Sequence, residues 1–217
     1  MRKYTLAIFI LGATFAAMAQ HIDTMQYRPS PFRQYVPQEQ LNTFNLQQQQ
    51  ISKQGMYALG AWGLGNVIYG AIAAPISQGE ARAFHTTNAI WGSINCVIAI
   101  PGIIASYRHD KVMNMSFGKT ILQQHGSEKV YLINGALDFA YIGAGAAMWG
   151  FSDRVANNST RNGLAGAGES FVMQGGFLLF FDWTMFLVHN LHGSRNLNRY
   201  TSGLSYSGTA LNYHLEF

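Results

Sequence analysis

Four stretches of this chain run for more than twenty residues almost without charge. Lys53 to Glu80 and Arg82 to Arg108 contain no Asp, Glu, Lys or Arg between their ends. Lys129 to Asp153 is broken only by Asp138, and Glu169 to Arg195 only by Asp182. An α-helix needs ~20 residues to cross a hydrocarbon core, so the pattern predicts spans over 56–77, 85–106, 130–151 and 170–191. The link at 77–83 is short, that at 107–129 longer, and that at 152–168 rich in Gly, Asn and Ser. Short links make neighbours antiparallel. Because only helices and closed barrels satisfy every backbone group in lipid, the predicted fold is an all-α membrane protein, an up-down four-helix transmembrane bundle over 55–192.

Each span carries one polar residue near its middle: Asn66, Asn95, Asp138 and Asp182. A charged side chain at that depth costs roughly 2.5–3.5 kcal/mol on insertion scales unless it faces protein or water, so all four are expected to point into one shared interior. Small residues fall on the same stripes. Gly63, Asn66 and Gly70 share a face of the first span, and Asn88, Gly92, Asn95, Ala99 and Gly102 share one of the second. Asn134, Asp138, Tyr141 and Gly145 do so in the third, while Gln174, Leu178 and Asp182 form a weaker stripe in the fourth. Steps of three and four place such residues on one helix side, where glycine admits a neighbouring backbone and amides bond across it. Asn88, Asn134 and Gln174, nearer the predicted helix ends, read as hydrogen-bond partners. Pro101 is expected to bend the second helix slightly near its exit.

Asp138 lies a little before the middle of its span and Asp182 a little after. The two spans run in opposite directions, so both carboxyls fall on the same side of the midplane and can meet. No Lys or Arg lies inside any span to compensate them. Facing each other they could not comfortably both ionise, and at least one proton would be held. Two readings follow: interhelical hydrogen bonding, which is the commoner role of such residues, or a proton-relay or cation site that includes Tyr141 and the amides.

The ends differ from this core. Arg2 and Lys3, the apolar stretch Tyr4 to Ala16 and the small-x-small Ala17-Met18-Ala19 predict a signal peptide over 1–19. The polar arm at 20–54, with Pro29, Pro31 and Pro37, is expected to be extended and then to form a short solvated helix whose apolar stripe, Leu41, Phe44 and Ile51, is thin. In the tail at 193–217, Leu211, Tyr213, Leu215 and Phe217 alternate with Asn212, His214 and Glu216. That is strand periodicity, and Ser207-Gly208 could close a short hairpin, on the surface or as an edge offered to a partner.

Composition sharpens the picture. Charged residues make up 11% of the 217 and apolar ones 48%, with 23 glycines, against about 25% charge in soluble domains. The net charge of +4 is scattered over arms and loops, so nucleic-acid binding is not expected. The single Cys96 lies within a span and reads as a small core residue. His85 and His189 fall on opposite membrane faces and cannot share a haem. His109 lies on the same face as His189 and His192, which are weak metal candidates, and interfacial histidines are the commoner reading. The glycine runs 60–65 and 163–168 lack the strand and the Lys-Ser/Thr of a phosphate loop. The first reads as helix packing, the second as a flexible lead into the fourth span, with Glu169 near the positive start of that helix. No catalytic constellation and no cofactor are expected.

A signal peptide exports residue 20, which puts the 107–129 link and both mature termini in the periplasm. The exported link then holds Arg108, Lys111, Lys119 and Lys129, against Arg82, Arg154 and Arg161 on the other side. This opposes the usual charge bias, but the first hydrophobic element normally sets the orientation.

The stretches 88–95 (Asn88-Ala89-Ile90-Trp91-Gly92-Ser93-Ile94-Asn95), 134–138 with Tyr141 and Gly143, and 174–182 ending in Asp182 resemble an uncharacterised domain-of-unknown-function family of small four-span bacterial membrane proteins. The resemblance covers residues 55–190. It implies a four-helix membrane fold and no activity. The expectation is a non-enzymatic accessory or scaffold subunit of a bacterial inner membrane, in contact with the lipid bilayer and with envelope proteins through its arm or tail, or with further copies of itself. A small transporter or proton/cation-conducting protein using the aspartates is the alternative, with a membrane-embedded enzyme behind it.

Overall fold

The computed structural model describes residues 36–197 and the segments 204–206 and 211–213. The expected signal peptide and the Pro-rich part of the arm lie outside the described residues. Four long helices make up most of the described residues: α1 Gln38–Ile76, α2 Gly79–Ala105, α3 Phe117–Ser152 and α4 Asn158–Asn196. All four are long and apolar enough to cross a membrane. Beyond them Leu204–Tyr206 (β1) and Leu211–Tyr213 (β2) pair antiparallel, with Leu204 opposite Tyr213. The turn proposed at Ser207-Gly208 lies outside the described residues.

The helix ends follow local chemistry. Between α1 and α2 stand only Ser77 and Gln78, and Gly79 takes a φ of +58°, which a side chain would resist. Arg82 folds back over the α1 terminus and donates to the carbonyls of Ala74, Pro75 and Ser77 at 2.9–3.2 Å, satisfying acceptors that a helix end leaves open. Ser116 Oγ accepts from the Lys119 amide at the start of α3, and Asn157 Oδ1 from the Thr160 amide at the start of α4.

Packing runs mainly α1 on α2, α2 on α4 and α4 on α3, with little contact between α1 and α3. Close crossings rest on glycine. A Cβ on Gly63 would lie 2.7 Å from Gly92 O, and one on Gly168 would lie 2.7 Å from Gly145 O. The core joins Leu59, Trp91, Ala99, Tyr131, Leu178, Phe181 and Met185. Its surroundings invert the pattern of a water-soluble domain. Asn88, Asn95, Ser170 and Gln174 are at most 1% exposed, while Ile72, Val97 and Phe180 are 64–72% exposed. Apolar outside and polar inside is what a lipid solvent selects.

Several expectations change. The segment from Gln38 is not a separate solvated helix but the beginning of α1, and it is packed: Leu41, Phe44, Asn45 and Gln48 are all buried. The thin apolar stripe lies on the packed side, with Leu41 and Phe44 buried and Ile51 against the core, and the buried face is wider than that stripe because polar residues share it. The Gly-rich segment is no flexible lead either. It is helical within α4, because Gly166 and Gly168 lie against the backbones of α2 and α3, where a larger residue would not fit. Glu169 therefore stands well inside α4 instead of at its start. Much of the 107–129 link also belongs to α3, after a 3₁₀ turn at His109–Lys111.

Candidate functional site

Among the described residues, the polar side chains expected at mid-span do not form one layer; most of them fall into two separate groups. The first joins α1, α2 and α4. Gln174 is its hub: Nε2 donates to Asn66 Oδ1 and to Asn88 Oδ1, both at 2.9 Å, while Oε1 accepts from Trp62 Nε1 at 2.8 Å. Ser170 Oγ donates to Asn88 Oδ1 at 2.7 Å, and Asn66 Nδ2 to the Trp62 carbonyl at 2.8 Å. Trp62 stacks on Phe177 with ring centroids 4.0 Å apart, which fixes the indole that reaches Gln174. Asn88 and Gln174 thus sit at the centre of the network and not at helix ends. The approach of Gly63 to Gly92 brings α1 and α2 close enough for amides to bond through one another. Beside the network a lateral crevice of about 280 Å³ opens between helices, lined by Trp62, Gly65, Asn66, Tyr69, Phe84 and Asn88 among others.

The second group joins α3 and α4. Asp138 and Asp182, 3% and 4% exposed, interact side chain to side chain, and the Asn134 side chain also reaches Asp182. Close approach here depends on Gly175, where a Cβ would stand 3.2 Å from Asp138 O and 2.9 Å from Ile142 Cγ1. The group is not self-sufficient. Asp138 Oδ2 and Asp182 Oδ1 are buried with no hydrogen-bond partner among the described residues. Asn134 itself is exposed on its helix. Tyr141 is half-buried and meets Trp91 edge to face at 5.1 Å.

Asn95, 1% exposed, belongs to neither group. Its Cβ lies beside Gly63, and its Nδ2 has no partner among the described residues. Of the four mid-span residues, then, Asp138 and Asp182 are brought together, Asn66 joins the amide network, and Asn95 lies between helices without a partner for its donor.

The three candidate histidines have separate surroundings. His189 Nε2 lies 3.4 Å from Ser52 Oγ, and its ring stacks on Tyr131 at 5.4 Å. His192 stacks on Phe44 at 4.3 Å, with Nε2 3.2 Å from the Phe44 carbonyl and Nδ1 3.2 Å from Asn196. His109 stands in the 3₁₀ turn, exposed. Among the described residues no three His, Cys, Asp or Glu side chains are arranged to hold a metal ion.

Sequence reasoning missed a third polar set, at the end where α1 begins and α4 finishes. Asn45, Gln48, Thr120 and Gln124 are at most 2% exposed there. The signal was present as steps of three and four along α1 (45, 48, 52) and α3 (120, 124, 127), but polar residues outside an apolar window look like a solvated helix face.

Residues 58–183 match the model of the Family of unknown function (DUF6992). The match covers more than half of the 217 residues, and the chain belongs to that family. No curated protein and no solved structure matches. Family membership and the four long apolar helices fit an integral membrane protein of unknown activity.

Proposed function

We propose that this family member is a non-enzymatic membrane protein in which the Asp138–Asp182 contact takes up a proton or a small cation, on a frame held by the Gln174 network. One observation carries the reading. The two carboxyls interact in the interior, and a buried oxygen on each has no donor among the described residues unless a proton is shared between the acids or a cation stands there. Interhelical glue would use up its hydrogen-bonding capacity, as the Gln174 network does. Two carboxylates side by side in a medium of low dielectric repel strongly, and the spans supply no Lys or Arg to offset them. A proton or a cation between them does so, and intramembrane acids commonly serve proton and ion pathways.

The rest of the reading is organisational. The four helices form a bundle in a bacterial inner membrane, with the signal peptide removed and both mature termini periplasmic. The basic start, short apolar stretch and small-x-small site of residues 1–19 support that orientation.

The test is proton movement in liposomes containing the purified full-length protein and a pH-sensitive dye. An Asp138→Asn/Asp182→Asn double variant keeps amide hydrogen bonding and removes titration. Loss of the pH response in a variant that still folds supports the proposal, whereas an unchanged response overturns it.

A scaffold role is the second reading, favoured by the β1–β2 pair after α4, whose edges offer unpaired backbone groups to another chain. Deleting residues 196–217 while the co-purifying proteins stay the same would remove that case.

A further inference from the structure

At the end of the protein where α1 begins, five polar side chains from three helices are buried, and the contacts of Gln48 with Ser127, Gln124 with the His189 carbonyl and His189 with Ser52 tie those helices together at that level. Asn45 and Gln48 come from α1, Thr120 and Gln124 from α3, and His189 from α4, all at most 2% exposed. Asn45 Oδ1, Gln48 Oε1, Gln124 Oε1, Thr120 Oγ1 and His189 Nδ1 are buried with no hydrogen-bond partner among the described residues. A buried polar group left unpaired costs roughly 1–3 kcal/mol, so five at one end of a protein demand a reason.

The orientation of the amides is fixed by what their NH₂ groups do. Gln124 Nε2 donates to Glu128 Oε1 at 2.7 Å and to the His189 carbonyl at 2.6 Å, both of which can only accept. Asn45 Nδ2 donates to the Val112 carbonyl at 3.1 Å. Gln48 Nε2 approaches Ser127 Oγ at 3.5 Å, and that hydroxyl gives its own proton to the Gln123 carbonyl. Turning the Gln124 or Asn45 amide over would set its oxygen against groups that only accept. The unsatisfied atoms are therefore the Gln124 and Asn45 amide oxygens, the Gln48 amide oxygen as it is oriented toward Ser127, a hydroxyl and an imidazole nitrogen, which is an acceptor in the tautomer where His189 Nε2 donates to Ser52.

An anion has no place in a set made almost wholly of acceptors. Buried amide and hydroxyl oxygens, with the Glu128 carboxylate bonded to Gln124, are the ligand types that hard cations take. We propose that this end of the protein binds an alkali or alkaline-earth cation through Asn45, Gln48, Thr120 and Gln124, joining α1 to α3 where the two helices otherwise touch little. The proposal is independent of the carboxyl contact deeper in α3 and α4.

The full-length protein in detergent is melted in choline chloride, then in sodium, potassium, calcium or magnesium chloride at matched ionic strength, followed by tryptophan fluorescence. One of the four cations should raise the Tm saturably, by about 3 °C or more. Gln124→Met and Asn45→Leu should each weaken the apparent affinity about tenfold or more. Asp138→Asn should leave it unchanged. Equal melting in all salts would mean that buried water alone satisfies these oxygens, and would overturn the proposal, with no need of the variants. Loss of the cation response in Asp138→Asn would place the ion at the carboxyl contact and overturn it as well.

Discussion

The Gln174 network and the Asp138–Asp182 contact share α4, the first joining it to α1 and α2 and the second to α3, and they look alike in the sequence: polar residues set singly into apolar runs beside glycines. In the first, Gln174 uses both its donors and its acceptor, and Asn66, Asn88, Trp62 and Ser170 are each bonded within the set. In the second, two acids meet and an oxygen on each remains without a partner among the described residues. On that difference rests the proposal that the amides hold helices together while the acids take up a proton or an ion. Depth and residue type do not distinguish them. Completeness of the hydrogen bonding does.

Wedges would break the comparison most severely. Gly175→Leu should force α3 from α4 beside Asp138 and cost about 3 kcal/mol, the upper range for overpacking. Gly92→Leu should do the same between α1 and α2. Unfolding of the two variants in mixed micelles checks both, and only the first is expected to disturb proton uptake by the carboxyls.

Next in size is Gln174→Leu, which leaves the Trp62 indole and Asn66 Oδ1 unpaired and should cost about 2 kcal/mol. Its unfolding curve should shift while the pH response of the reconstituted protein persists. Asp138→Asn reverses that pattern. Interhelical hydrogen bonds average about 0.6 kcal/mol, so stability should change by less than about 1 kcal/mol, while proton uptake measured with a pH-sensitive dye is lost. If Asp138→Asn destabilised the protein as strongly as Gln174→Leu, the two groups would be alike and the distinction would fail.

Gly176→Ala is the smallest. Nothing lies within 4 Å of its added Cβ, and the change in stability should stay within about 0.5 kcal/mol. A larger loss would show that the outer face of α4 is covered by another chain.

The four helices were legible because lipid imposes a coarse rule, a run of uncharged residues long enough to cross. Residue counting along antiparallel helices gave the expectation that Asp138 and Asp182 lie at one depth. Asn95 and Asn66 were not separable by such counting, because which neighbour an amide meets depends on helix rotation and on the partner's reach. Asn88 and Gln174 were set near helix ends, since the apolar windows are shorter than the helices, which run on to 39 residues in α1 and α4. The Gly-rich 163–168 segment misled in a similar way. Composition alone made it a loop, and packing against α2 and α3 made it helix.

By itself, then, the sequence determined how many long apolar helices there are, roughly where they lie, and that polar residues inside them must turn away from lipid, because the solvent charges heavily for a polar group in a wrong place. Only the tertiary structure decided which polar groups satisfy one another. A hydrogen bond needs two atoms about 3 Å apart, and that distance is set by helix rotation and by which glycines let backbones touch. Neither of those is written in the spacing of one helix.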